Sequence, residues 1–314
     1  MPEHTPRHIV IGANAHAELH AIIAAARPDL QIRGNRYTEI TNDDLSWGDT
    51  YIGFRRPPLE TMRNIRWVHC TGAGVDAWLL PTELSRTIML TRSSESFGPA
   101  IAEWTLSRAL TIAQHIVPLN DAQRSHTWSP RETVPLRGAK VLVVGTGDVG
   151  THVGRLFAAL GCHVTGVSRS GTGDGAVFHR LARVNQLAGL VGEHDWILLM
   201  TPLTHDTRHL FDRAMLSRCR GAVLINAGRG AVIDEAVLPH ALDAGWIRAA
   251  ALDVFETEPL PEHSPLWNDP RVIVSPHMSG LTTNAGAAAG FLECLASIER
   301  GEQPIWLVDR ERGY

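Results

Sequence analysis

The stretch KVLVVGTGDVG fills residues 140–150 and runs straight into THVGRLFAALG, which is apolar at helical spacing. An apolar, β-branched run of this length, closed by glycine, reads as a strand buried on both faces. It ends in Gly145-Thr146-Gly147-Asp148-Val149-Gly150, a GxGxxG turn between a strand and a helix. In that setting the first glycine permits the tight turn, the second lets the backbone approach a pyrophosphate, and the third allows helix and strand to pack closely. The helix N-terminus adds unpaired N–H groups and a positive dipole end. Gly145, Gly147, Asp148, Val149 and Gly150 are therefore candidate dinucleotide-binding residues. A glycine-rich turn without a ligand reads the same letter by letter; the strand and helix around it favour the dinucleotide.

Downstream of this turn, CHVTGVS (162–168), WILLMTP (196–202), AVLINAG (222–228), RAAALDVF (248–255) and VIVSP (272–276) read as further strands of a doubly wound parallel sheet. Upstream, HIVIGA (8–13), LQIRG (30–34), TYIGF (50–54), RWVHC (66–70) and TIMLT (87–91) alternate with AHAELHAIIAAA (15–26), PPLETMRNI (57–65) and DAWLLPTEL (76–84), which read as helices. That alternation makes a smaller unit of the same α/β class. Residues 96–128 are predicted to form one long helix leading out of it. Residues 284–314 begin with a helical run whose apolar face needs a partner. Packing on the first unit would make that unit discontinuous, and periodicity leaves this open.

A chain of 314 residues is long enough for about two domains. With 44% hydrophobic and 20% charged residues it is composed like a globular protein, which excludes a disordered tail or a disulfide miniprotein. The net charge of −4 has no basic block, so nucleic acid and anionic lipid are not expected partners. Cys70, Cys162, Cys219 and Cys294 are scattered without a CxxC pair, as in reduced proteins of the cytoplasm. The opening MPEHTPRHIVIG has no signal-peptide pattern, and no run of about 18 apolar residues suggests a membrane span. A cytoplasmic location is expected.

Three places carry possible chemistry beyond the glycine turn. Arg229 in LINAGRGAVID follows a strand, where parallel sheets gather ligands, and a guanidinium there suits a carboxylate. On position alone it is equally an ordinary solvated arginine. LDVFETEPLP offers Glu256 and Glu258, and VIVSPHMSG puts His277 directly after a strand and a proline. A histidine paired with a carboxylate exchanges protons with a substrate oxygen near neutral pH, yet His277 is one of 16 histidines, and most are structural. His16 with His20 and His205 with His209 have metal-compatible spacing, but no cysteine or carboxylate accompanies them, so no metal is expected.

Taken in order and spacing, GTGDVG, NAGRG, LDVFETEPLP and SPHMSG resemble the D-2-hydroxyacid dehydrogenase family over nearly the whole chain. HCTGAGVD is similar to the family's substrate loop, Ala102 to Trp104 sits where family members start their long helix, and SPLWNDPRV with VDRERGY resembles the glyoxylate/hydroxypyruvate reductase A branch. The resemblance implies a flavodoxin-like substrate domain (1–94 and 284–314) and a Rossmann cofactor domain (95–283) around a cleft. It implies an enzyme that reduces a small 2-oxo acid, such as glyoxylate or hydroxypyruvate, to the D-2-hydroxy acid. Arg229 would then bind the substrate carboxylate and carbonyl, His277 would protonate the carbonyl oxygen, and Glu258 would hold His277 charged. The amides of Gly72 and Ala73 would meet the same carboxylate, Asp253 would lie near the nicotinamide carboxamide, and Pro202, Thr207 and Ala227 would lie along the cofactor. Formate dehydrogenase resembles the same motifs but pairs its histidine with glutamine, and Glu258 disfavours it. Co-repressors of this architecture sense dinucleotides as scaffolds; they carry extra recognition segments not evident here. The long helix and the arm around Trp128 are the expected homodimer surface, with burial of Trp128 in the monomer core the alternative.

Cofactor preference turns on the end of the second cofactor-domain strand. An Asp or Glu about 20 residues beyond the glycines marks NAD. Here Ser168-Arg169-Ser170 occupies that place, and Asp174 lies beyond a Gly-Thr-Gly stretch. The planar fork of Arg169, with the Ser168 and Ser170 hydroxyls as further donors, suits a 2′-phosphate. NADP(H) is the expected cofactor, with NAD(H) possible if Arg169 is merely solvated.

Overall fold

The computed structural model describes residues 6–58, 62–80, 82–93 and 97–313. The chain divides into two compact units, residues 1–95 with 282–314, and residues 96–281. Each is a fully parallel sheet flanked by helices. In the first, β1 (His8–Gly12), β2 (Gln31–Asn35), β3 (Thr50–Ile52), β4 (Trp67–Cys70) and β5 (Met89–Arg92) lie in the order β2-β1-β3-β4-β5. In the second, β6 (Lys140–Val144), β7 (His163–Ser168), β8 (Arg180–Arg183), β9 (Trp196–Leu199), β10 (Ala222–Asn226), β11 (Ile247–Leu252) and β12 (Val272–Val274) lie in the order β12-β11-β10-β9-β6-β7-β8. The order reverses between β6 and β9, so the loops after these strands diverge and open a crevice at the carboxyl edge. The GxGxxG turn follows β6 directly.

The buried strands are apolar because both faces are covered: every residue of Val141–Val144, Trp196–Leu199 and Ala222–Asn226 is at most 1% exposed. In the first unit, Phe291 of the Asn284–Glu299 helix stacks on Trp67 of β4 with ring centroids 5.0 Å apart. Beyond that helix the chain returns to the edge of β5. The Arg92 amide donates to the Trp306 carbonyl at 3.1 Å and the Val308 amide to the Leu90 carbonyl at 2.9 Å. These bonds occupy the sheet edge that β5 would otherwise leave open.

Several expectations from sequence need correction. The long helix is two, Phe97–Ala113 and Ile116–Arg124, broken at His115 with φ 52°. Pro118 lies in the first turn of the second helix, where its missing N–H costs nothing, but it could not have continued the first. The segment 57–65 is not helical at 57–58 or 62–65, and 59–61 lie outside the described residues; consecutive prolines push the residues before them away from helical angles. The next helix stops at Leu79, with Leu80 extended ahead of Pro81. The edge strand β8, RLAR, has no apolar run and gave no signal.

Candidate active site

Arg229, Glu258 and His277 stand on the loops that follow β10, β11 and β12, three adjacent strands of one sheet. Local chemistry fixes each loop. Asn226, fully buried at the end of β10, donates from Nδ2 to the Arg229 carbonyl at 3.0 Å and accepts the Gly228 amide at 3.1 Å. A Cβ on Gly230 would lie 1.9 Å from the Phe255 carbonyl carbon, so only glycine lets the Arg229 loop pack backbone to backbone on the loop that carries Glu258. The Arg229 guanidinium donates to the Gly228 carbonyl at 2.8 Å.

Glu258 accepts the Phe255 amide on Oε1 at 3.1 Å and His277 Nδ1 on Oε2 at 2.8 Å. The carboxylate thereby sets the imidazole tautomer, with the proton on Nδ1 and Nε2 directed away. Burial pushes the Glu258 carboxyl up, but the His277 hydrogen bond and charge, the Phe255 amide and the Arg229 charge together hold it below its ordinary range. The side chains of His277 and Glu258 are 36% and 27% exposed, open enough for a small molecule to reach the imidazole.

His277 itself sits at φ 50°, a left-handed conformation rare for a residue with a β-carbon. Its amide donates to the Asp253 carbonyl at 2.8 Å. The Asp253 carboxylate is completely buried and accepts Ser275 Oγ at 2.6 Å and the amides of Met278 at 3.0 Å and Ser279 at 2.7 Å. In this structure Asp253 shapes the turn that presents His277.

At the glycine turn, Gly145 has φ 104° and its amide bonds the Val167 carbonyl at 2.8 Å. A Cβ on Gly150 would fall 1.7 Å from the Gly145 oxygen, whereas a Cβ on Gly147 would meet nothing within 4 Å. No side chain caps the helix Asp148–Ala159 that begins there. The turn therefore has the bare, open backbone that a pyrophosphate needs, and the residues fit a dinucleotide. Thr207 Oγ1 donates to the Pro202 carbonyl at 2.7 Å and accepts the Thr204 amide at 2.8 Å, so its side chain closes its own loop. The Ala227 amide bonds the Leu199 carbonyl at 3.3 Å.

After β7, Arg169 and Ser170 are exposed. Ser168 is not the further donor expected: its hydroxyl donates to the Thr172 carbonyl at 2.9 Å. Asp174 pairs with Arg155 of the Asp148–Ala159 helix at 3.2 Å and accepts the Ala176 amide of its own loop at 2.9 Å. Gly72 and Ala73 belong to the other unit, in the loop after β4, where a Cβ on Gly72 would come within 2.7 Å of the Phe54 ring. Among the described residues no cluster of His, Cys, Asp or Glu could hold a metal ion.

Comparison with known proteins places this geometry. A model of the D-isomer specific 2-hydroxyacid dehydrogenase NAD-binding domain matches residues 106–279. The chain belongs to the D-isomer specific 2-hydroxyacid dehydrogenase family. It is 31% identical to a glyoxylate/hydroxypyruvate reductase A of Salmonella paratyphi B over 268 residues, covering 82% of this chain and 86% of the relative. Among solved structures it resembles a D-isomer specific 2-hydroxyacid dehydrogenase of Xanthobacter autotrophicus in complex with NADPH and MES, with TM-score 0.87, 31% identity and coverage of 98% and 100%. An NADPH-dependent glyoxylate/hydroxypyruvate reductase of Sinorhizobium meliloti, in complex with NADP and sulfate, superimposes with TM-score 0.86 at 27% identity, covering 98% and 99%. The parallel sheets and the three loops described above are thus those of a 2-hydroxyacid dehydrogenase family member.

Sequence reading passed over Asn226, which locks the Arg229 loop, and the turn-shaping part of Asp253. An Asn at a strand end two residues before glycine is the signal that was there to find.

Proposed function

We propose that this chain reduces a small 2-oxo acid, of the glyoxylate or hydroxypyruvate kind, to the D-2-hydroxy acid, with NADPH preferred over NADH. The observation that carries the reading is the His277 Nδ1 to Glu258 Oε2 hydrogen bond of 2.8 Å, on a carboxylate that also feels the Arg229 charge. A proton donor held by a carboxylate next to a guanidinium is what carbonyl reduction of an anionic substrate requires.

When bound, the reduced nicotinamide would supply hydride chemistry at the carbonyl carbon. Arg229 holds the substrate carboxylate and polarises the carbonyl oxygen. His277 gives that oxygen the proton from Nε2, and Glu258 stabilises the imidazolium form that precedes the transfer. Gly145, Gly147, Asp148, Val149 and Gly150 would cradle the pyrophosphate by their backbone, and Arg169 with Ser170 would take the 2′-phosphate. The names of the NADPH-bound and NADP-bound relatives support this cofactor.

The protein is a homodimer in this reading. Leu110, Ile116, Val117, Leu119, Trp128 and Val134 are 38–97% exposed, an apolar surface clustered along residues 110–134. At 97% exposure Trp128 is not a core residue of the monomer. Sedimentation at micromolar concentration tests this, and a monomer overturns it. The protein is assigned to the cytoplasm, in keeping with the free thiols of Cys162, Cys219 and Cys294.

The deciding experiment measures kcat/KM for a panel of 2-oxo acids with NADPH and NADH. No turnover with any 2-oxo acid, although the dinucleotide binds, would favour a scaffold. Turnover with equal efficiency for both cofactors would remove the NADPH preference.

A further inference from the structure

We infer that Thr146 and Thr172 are positioning residues for dinucleotide preference: they strap the Ser168-Arg169-Ser170 turn to the glycine turn, so that the 2′-phosphate donors are preset. The inference rests on the NADPH reading above and extends it to residues that touch neither the reacting atoms nor the phosphate.

The strap converges on Thr172. Its carbonyl accepts Thr146 Oγ1 at 2.6 Å and Ser168 Oγ at 2.9 Å, and its amide donates to Ser168 Oγ at 3.1 Å. Its hydroxyl bonds Ser170 Oγ at 2.6 Å. Thr146 is the second residue of the glycine turn, and it fits only because its neighbours lack side chains. A Cβ on Gly166 would lie 2.7 Å from Thr146 Cγ2, and one on Gly173 would lie 3.1 Å from Thr146 Cβ. Gly171 takes φ 74°, which lets the chain double back from Ser170 to Thr172.

The five-residue excursion Arg169–Gly173 after β7 would otherwise be mobile, and ordering it on binding would oppose affinity. The Thr146 and Ser168 hydroxyls remove that cost beforehand by using their protons inside the loop. Arg169 and Ser170 lie on the exposed side of the same turn, and the Ser170–Thr172 hydroxyl pair keeps one proton for an incoming ligand. Because the strap lies under the turn that replaces the ribose-binding acid, its loss acts on a 2′-phosphate and leaves a bare ribose nearly unaffected.

The test is calorimetric titration of the unmodified protein and of Thr146→Val, Thr172→Val and Thr146→Ser with NADPH and with NADH, alongside the ratio of kcat/KM for the two cofactors. Valine matches threonine in shape and lacks the hydroxyl. Thr146→Val is expected to raise the NADPH Kd about tenfold, the scale of one charge-assisted contact, with little change in the NADH Kd. Thr172→Val acts in the same direction through Ser170, and Thr146→Ser keeps wild-type discrimination. Equal weakening of both dinucleotides, or none, in the valine variants overturns the strap. An unmodified protein that binds both dinucleotides equally overturns the NADPH reading and the strap with it. Preference in the unmodified protein that survives both valine substitutions overturns the strap alone. If Thr146→Val does not fold, Thr172→Val carries the same comparison.

Discussion

Glu258→Gln is the substitution that most sharply tests the dyad. The carboxylate faces two donors, the Phe255 amide on one oxygen and His277 Nδ1 on the other. Glutamine offers one acceptor oxygen and one NH2 group. If the oxygen stays on the Phe255 amide, which cannot change roles, the NH2 meets Nδ1 and forces it to become an acceptor. The imidazole is then neutral in the wrong tautomer for a charged donor. If the amide flips, the NH2 opposes the Phe255 N–H and that donor loses its partner. Either arrangement forfeits a charge-assisted hydrogen bond, worth about 1.5–3 kcal/mol, which corresponds to a loss of roughly ten- to a hundredfold in kcat/KM. The loss should fall mainly on kcat, because the imidazolium matters most as the proton moves. The assay is steady-state reduction of the best 2-oxo acid with saturating NADPH, with NADPH affinity measured separately by calorimetry. Wild-type kcat/KM in a folded, NADPH-binding Glu258→Gln protein would refute the argument.

His277→Ala should lower kcat more than Glu258→Gln does, and Arg229→Ala should raise KM for the 2-oxo acid, both with NADPH affinity intact; loss of NADPH binding in either variant would count against the roles assigned. Gly147→Ala should leave the melting temperature of the cofactor-free protein unchanged, since its methyl meets nothing within 4 Å, yet weaken NADPH binding in calorimetry. His69 lies wholly buried between Thr91 Oγ1 and Ser93 Oγ at 2.9 and 3.0 Å, and burial lowers its pKa from 6.5 to about 3. The unfolded chain therefore binds the extra proton first, so stability present above pH 6.5 declines as pH falls toward 3, by up to ~1.4 kcal/mol per pH unit. Urea melts from pH 7 to pH 4 should show this slope flattened in His69→Gln, and an equal slope in both proteins would rule it out.

Strands with both faces covered were legible in the sequence because burial on two sides demands uninterrupted apolar runs, as in Val141–Val144 and Ala222–Ile225. The edge strand β8 was not, since a strand with one open edge tolerates Arg180 and Arg183. Periodicity also ran across His115, because a break in helix direction leaves the apolar spacing on either side intact. In the site, motif spacing could place Arg229, Glu258 and His277 on neighbouring strand ends, but not the atom-level choice of partner. Ser168 shows the limit: a serine beside Arg169 reads as a phosphate donor, and only the fold reveals that Thr172 has already taken its proton. Nor could spacing show that the Asp253 carboxylate accepts three donors from the Ser275–Ser279 turn that carries His277.

The return of the chain's last segment to the first unit bears on the order in which the protein comes off the ribosome. Residues 96–281 complete their sheet from contiguous sequence and can fold as they emerge. Residues 1–95 precede that unit but cannot close their own when they are made, because Phe291, which covers Trp67, and the Trp306–Val308 segment, which covers β5, are synthesised only after residues 96–281. Strands β1 to β5 therefore wait with an unprotected apolar face and an unpaired edge while the whole cofactor unit is made. Premature termination after residue 281 would release a chain with a finished cofactor unit and an aggregation-prone remainder.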